Sequence, residues 1–287
     1  MKRVALFLCL ASFAVSLPRS ASGQEFEAAI DHDSVLVNGI TLAYRVIGEG
    51  EPLVLLHGFF GTGREWSFLL EDFSAHYRLI VPDLRGHGHS TNPSGQFTHR
   101  QSALDIFALL DRLGVDTFSA MGISTGGMTL LHMATAQPER VEAMVLIGAT
   151  SYLPDQAREI LRASDPASLS VEALEARGQA HSRGAEQARE LASQFFAFKD
   201  NYDDMNFTPP YLSTITASTL IVHGDRDQVF PISIPVEQYE AIPDSYLWIV
   251  PNGGHGAALE SERGRTMFSE LVLDFLAGEW RGNAERE

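Results

Sequence analysis

Gly122-Ile123-Ser124-Thr125-Gly126 sits where one pattern of residues ends and another begins. Before it, Thr117–Met121 reads as a short buried strand. After it, Met128 to Ala136 is apolar nearly all round, the pattern of a buried helix. A chain that passes straight from strand to helix must turn tightly, and a glycine on each side removes a side chain that would strike the neighbouring strand or helix. The turn lifts the Ser124 hydroxyl out at the edge of the sheet. It also aims the Thr125 N–H at the same space, at a helix N-terminus where partial positive charge favours an anion. Taken alone, the pentapeptide is a Gly-rich β–α turn. In this strand–helix context it is a nucleophile elbow.

The surrounding chain supplies matching elements. Val35–Val37 and Ile40–Ile47, joined by Asn38-Gly39, read as a hairpin. Leu53–Leu56, Leu79–Val81, Ala143–Ile147, Leu220–His223 and Leu247–Val250 are short continuous apolar runs, as strands buried on both faces should be. Thr98 to Gln101 has the Thr-x-x-Gln form of a capping box; Leu104, Phe107, Ala108, Leu110 and Leu113 follow at helical spacing, and Gly114 is a stop. Met267, Leu271, Val272, Phe275 and Leu276 form one face of a last helix. Strands alternating with helices predict an α/β fold with a mostly parallel sheet covered on both sides.

One stretch breaks the alternation. From Ser151 to about Ser213 the chain is charged and helical in pattern, and it lacks a clear strand. Phe195, Phe196, Phe198, Tyr202, Met205 and Phe207 cluster near its end, before Pro209-Pro210. An insertion of this kind is expected to be a helical cap over the site. The division that follows is 24–150 for the first part of the core, 151–213 for the cap and 214–287 for the rest of the core.

A serine hydroxyl needs a base at neutral pH. His255, in Asn252-Gly253-Gly254-His255-Gly256, lies just after a strand pattern on a Gly-rich loop and is the best placed of the histidines. His57 and His223 each end a strand beside a glycine and read as structural, while His87 and His89 belong to a tight loop. Two histidines two residues apart hint at a metal, but no third histidine or carboxylate stands at ligand spacing, so neither a metal nor a cofactor is expected. The base needs an orienting carboxylate, and Asp225 and Asp227 both follow the strand at Leu220–His223. A tetrahedral intermediate needs two N–H donors, each worth roughly 3–4 kcal/mol in the transition state. Thr125 offers one, and Phe59, in His57-Gly58-Phe59-Phe60-Gly61-Thr62-Gly63, offers the other.

Four motifs in this order resemble the α/β-hydrolase superfamily: His57–Gly61, Asp83-Leu84-Arg85-Gly86-His87-Gly88-His89-Ser90, the elbow, and the Asp227/His255 pair. The likeness runs from about Val35 to Leu276. It is strongest to small esterases, lactonases and cofactor-free haloperoxidase-like enzymes. It implies an eight-stranded sheet, a cap inserted after the sixth strand, and a structural role for the second motif. The family order of nucleophile, acid and base selects Ser124, Asp227 and His255, and leaves Asp225 to brace its turn. Thr125 is a departure, since relatives often carry a bulkier residue after the serine. A serine at the elbow argues against dehalogenases and epoxide hydrolases, which need a carboxylate there. The expected reaction is cleavage of a carboxylic ester or lactone through an acyl-enzyme. The same triad also serves C–C or amide hydrolysis and acyl transfer, and the fold without activity serves as a binding protein.

The whole chain bounds this reading. Lys2 and Arg3, the apolar run Val4–Leu17 and the small residues Ser20 to Gly23 have the form of a signal peptide over 1–23. The run is about 14 residues, short of the roughly 20 that span a bilayer, so no stable membrane anchor is expected after cleavage and the protein is expected to be secreted or periplasmic. Cys9 is the only cysteine and lies in that segment, which excludes a cysteine nucleophile from the mature chain. The formal charge is −16, and such a surface repels nucleic acid. The partner expected is a small ester-like molecule with a hydrophobic part.

Overall fold

The computed structural model describes residues 32–165, 167 and 169–280; the segment 1–23, Cys9 and the first residues of the core lie outside them. These residues build one sheet of eight strands: β1 (Asp33–Val37), β2 (Ile40–Ile47), β3 (Glu51–Leu56), β4 (Tyr77–Pro82), β5 (Phe118–Ile123), β6 (Val141–Ile147), β7 (Ser218–Gly224) and β8 (Ser245–Val250). Their spatial order is β1-β2-β4-β3-β5-β6-β7-β8. β2 pairs antiparallel with β1 and β4, and the other pairs are parallel. Asn38 and Gly39 take φ of 45° and 77°, the left-handed pair that a two-residue hairpin turn requires.

The parity of the central strands sets the layers. Val54, Leu56, Ala120, Met144, Leu146 and Ile221 join one core, while Leu53, Leu55, Met121, Ile123, Val145, Ile147, Leu220 and Val222 join the other. Successive side chains of a strand face opposite sides, so a continuous apolar run needs cover on both. Helices α2 (His99–Arg112), α3 (Thr125–Ala136) and α8 (Ser233–Ala241) cover the first face. Helices α1 (Leu70–Ser74) and α9 (Glu262–Leu276) cover the second, with Phe73, Phe268, Val272 and Phe275 buried there.

The capping box of α2 forms only in part. Thr98 Oγ1 accepts the Gln101 N–H at 3.1 Å, but the Gln101 amide donates to Asp105 Oδ1 at 3.2 Å instead of returning to the cap. The remaining N–H groups are met by a residue from far along the chain. Asp204 accepts from His99 N at 2.8 Å and Arg100 N at 3.1 Å. A full carboxylate is the stronger partner at the positive end of a helix. The far end stops as read, with Gly114 at φ 66° and Val115 N–H donating to the Leu110 carbonyl.

Helices α4 (Asp155–Arg162), α5 (Val171–Gly178), α6 (Gly184–Ala197) and α7 (Pro209–Leu212) fill the interval between β6 and β7. Phe196 and Phe198 form a small third core with Phe59, Phe60 and Phe97, and Phe195 packs against it. Met205 and Phe207 enter the sheet's first core instead, and Tyr202 is exposed beneath the Arg158 guanidinium. The aromatic run is therefore divided among the third core, the main core and solvent.

Candidate active site

The sharp turn after β5 is paid for in backbone strain at Ser124, whose φ of 50° is rare for a residue with a side chain. The glycines make it possible. A Cβ at Gly122 would lie 2.4 Å from the Gly126 carbonyl carbon, and one at Gly126 would lie 2.1 Å from the Leu56 carbonyl oxygen. The turn is held from both sides: Ser124 N–H donates to the Ile147 carbonyl on β6, and its own carbonyl accepts the Met128 N–H within α3.

The other two groups arrive on neighbouring strand ends. His255 follows β8, and its loop crosses over Gly224 and Gly148 so closely that a Cβ at either would meet a loop carbonyl at 2.2 or 2.3 Å. His255 Nε2 lies 3.0 Å from Ser124 Oγ, and Nδ1 lies 2.8 Å from Asp227 Oδ2. Asp227 Oδ1 accepts the Val229 and Phe230 N–H groups at 2.7 and 3.1 Å, which locks the carboxylate. Burial alone would push this carboxyl up. The charge and hydrogen bond of His255, with the two backbone donors, outweigh it and hold Asp227 below its ordinary value. Phe230 packs edge-on against the His255 ring at 5.3 Å. The structure thus brings Ser124, His255 and Asp227 into one chain of hydrogen bonds.

Asp225 is elsewhere: its Oδ1 accepts the Asn252 N–H at 2.5 Å and ties the two strand-end loops together. His57 accepts the Leu84 N–H on Nε2, so Nδ1 donates to the Gly58 carbonyl at 2.7 Å. His223 donates to the Phe230 carbonyl at 3.0 Å. His87 is fully buried in its turn, and burial holds it neutral, well below the usual imidazole range. The turn from Asp83 to Ser90 is fastened within itself and to α2. Asp83 Oδ2 accepts the His89 N–H, Ser90 Oγ donates to the Asp83 carbonyl, and Arg85 forms a buried two-point pair with Asp105 at 2.8 Å.

Of the two expected oxyanion donors, Thr125 is the first residue of α3, where N–H groups have no partner inside the helix. The loop carrying Phe59 passes beside the elbow, since a Cβ on Gly58 would stand 3.8 Å from Ser124 Cβ. Gly58 itself donates to Glu65 Oε2 at 2.9 Å, which leaves Phe59 as the next donor along the loop. Above it, Phe59 packs within 5.4 Å of the rings of Phe195 and Phe198. Gln187 and His181, on the insertion, bond the 86–88 turn: Gln187 Nε2 donates to the Gly86 carbonyl at 2.8 Å and His181 Nδ1 accepts the Gly88 N–H at 3.0 Å. Glu65, His181, Gln187 and Asp204 have no local signal in the sequence. Each acts on a partner that is distant in the chain or set by a loop's path.

Comparison with known proteins agrees with the fold. Residues 51–195 match the family model described as the alpha/beta hydrolase fold. The chain is 32% identical to a 2-hydroxy-6-oxo-2,4-heptadienoate hydrolase of Pseudomonas putida, covering 85% of this chain and 96% of that one. It is 28% identical to the serine hydrolase BPHL of Mus musculus, covering 96% of each. Among solved structures it is similar to an esterase from Rhodococcus sp. ECU1013, with a TM-score of 0.66, 28% identity, and coverage of 87% of this chain and 98% of that one.

Proposed function

Because the chain belongs to the α/β-hydrolase fold family, we propose that it is a serine hydrolase that cleaves a carboxylic ester or lactone through an acyl-enzyme. The observation that carries this is the relay Ser124 Oγ to His255 Nε2 at 3.0 Å and His255 Nδ1 to Asp227 at 2.8 Å. As Ser124 attacks the carbonyl carbon, His255 takes its proton and Asp227 steadies the imidazolium. The Thr125 and Phe59 N–H groups receive the oxyanion. His255 then protonates the leaving alcohol and, in the second half, draws a proton from water to release the acid. No metal is needed for any of these steps. The phenyl rings of Phe59, Phe60, Phe195 and Phe198 favour a small substrate with a hydrophobic part.

A short-chain aryl ester tests the reading. The Ser124→Ala variant is expected to lose about 10⁴-fold or more in kcat; equal rates in variant and parent would sink it.

The Pseudomonas putida relative favours a second reading. Its named substrate holds a ketone and a carboxylate but no ester, so its hydrolysis breaks a carbon–carbon bond. The same triad here would do likewise on a keto-dienoate, and product analysis with both substrate types separates the two. The N-terminal pattern Lys2-Arg3 followed by Val4–Leu17 supports export, and among the described residues no helix is long and apolar enough to cross a membrane.

A further inference from the structure

The loop after β3 folds back on itself. Gly61 N–H donates to the Gly58 carbonyl at 3.1 Å, closing a turn in which Phe60 takes φ 66°. A side chain at positive φ is strained, so such a turn persists only when its surroundings hold it.

Glu65 is the group that fills it. Its Oε2 accepts the Gly58 N–H at 2.9 Å. Its Oε1 lies 2.1 Å from where a Cβ on Gly61 would stand, so the carboxyl occupies the hollow that only glycine leaves open. On the other side of Gly58 is the nucleophile: a Cβ on Gly58 would be 3.7 Å from Glu65 Oε2 and 3.8 Å from Ser124 Cβ. Gly58 is thus held between the carboxyl and the elbow.

We propose that Glu65 is a positioning residue for the oxyanion loop, engaging the Gly58 N–H so that the next one, on Phe59, faces the carbonyl oxygen that Ser124 attacks. This rests on the serine-hydrolase reading of Ser124. Glu65 does not touch the substrate and acts through the backbone. Its protonated form suits the task. Burial pushes its pKa up to about 8, against the opposing pull of the Gly58 N–H. The ionisable groups set against this loop include Arg177 over the Phe60 ring, His181 at the Phe60 backbone, His87 against the Phe59 ring, and Arg45 and Asp83 beside Gly63, while the Glu65 carboxyl accepts from the Gly58 N–H. An ionised Glu65 would set negative charge behind a forming oxyanion and oppose it. A carboxyl with a raised pKa is neutral below that value, so turnover falls as pH rises through about 8.

Glu65→Gln keeps a neutral acceptor and Glu65→Leu removes it. With the aryl ester at pH 7, Glu65→Gln is expected within about threefold of the parent, and Glu65→Leu to lose about thirtyfold in kcat with KM within about threefold. The parent's fall near pH 8 should be absent in Glu65→Gln. A folded Glu65→Leu with parental kcat overturns the proposal, as does an unchanged alkaline fall in Glu65→Gln. If circular dichroism finds Glu65→Leu unfolded, the Glu65→Gln profile decides alone. Full activity in Ser124→Ala sinks the serine reading itself. An inactive Ser124→Ala beside a fully active Glu65→Leu sinks only the positioning role.

Discussion

Asp227 meets His255 at 2.8 Å, and Asp204 meets His99 at 2.6 Å. In each pair the aspartate also accepts two backbone N–H groups, so the carboxylates are held alike. The imidazoles differ. The far nitrogen of His255 reaches Ser124 Oγ, and its side chain is 13% exposed. His99 is 1% exposed, and among the described residues its Nε2 has no hydrogen-bond partner. The aspartate–histidine distance therefore says nothing about catalysis. On the serine-hydrolase reading, what separates a proton relay from a structural clasp is the atom beyond the imidazole and the room for a substrate to reach it. Asp204 instead caps α2 and fastens the end of the insertion to the core, where its carbonyl also accepts from His132 at 2.7 Å.

Removing the charge from each pair tests this contrast most strongly. Asp227→Asn is expected to lower kcat about 10³–10⁴-fold, because the amide favours the wrong imidazole tautomer. Asp204→Asn should cost less than about tenfold in the same ester assay. Comparable losses would erase the distinction.

Stability should show the reverse emphasis. Asp204→Ala removes a buried charge partner and a helix cap at once, and is expected to cost about 3 kcal/mol in urea unfolding. The pH dependence follows from the same contacts. Burial would raise Asp204, but the pair with His99 and the N–H groups of His99 and Arg100 bring it down to about 2. A carboxyl depressed by folding stabilises the protein above its unfolded value of 3.8 and loses that contribution as pH falls through about 2. Burial likewise depresses His132 to about 4, so its contribution, present above 6.5, is lost as pH falls through 4. Asp204→Asn should therefore flatten the acid limb of the stability curve between pH 4 and 2. An unchanged limb would mean that other carboxylates dominate acid unfolding.

The smallest effect sharpens the choice between neighbours. Asp225→Asn keeps an oxygen that accepts the Asn252 N–H, so kcat should stay within about twofold and stability within about 0.5 kcal/mol. A large loss of kcat would give Asp225 a part in the relay.

The legible parts of this protein were those whose physics is local. The two glycines around Ser124 announce a turn that admits no side chains, and the apolar runs of β3 to β7 announce buried strands, whereas β8, read the same way, lies at the sheet's edge and is only half-buried. Asn38-Gly39 specifies a hairpin turn through its own backbone freedom. The acid of the triad was less so: Asp225 and Asp227 share one loop, and family order alone preferred the second. The aromatic run near residue 200 read as a single cluster, yet its members part between two cores and solvent, because helix direction and strand ends decide which way each faces.

From its residues alone the chain specified an α/β sheet, an elbow serine and a Gly-rich loop bearing a histidine, since turn geometry and burial pattern are properties of neighbours in sequence. The folded chain decided that Asp227 and not Asp225 meets His255, that Asp204 caps a helix 105 residues away, and that Glu65 fills the turn after β3. Those contacts depend on where strand ends and loops converge, and only packing in three dimensions sets that.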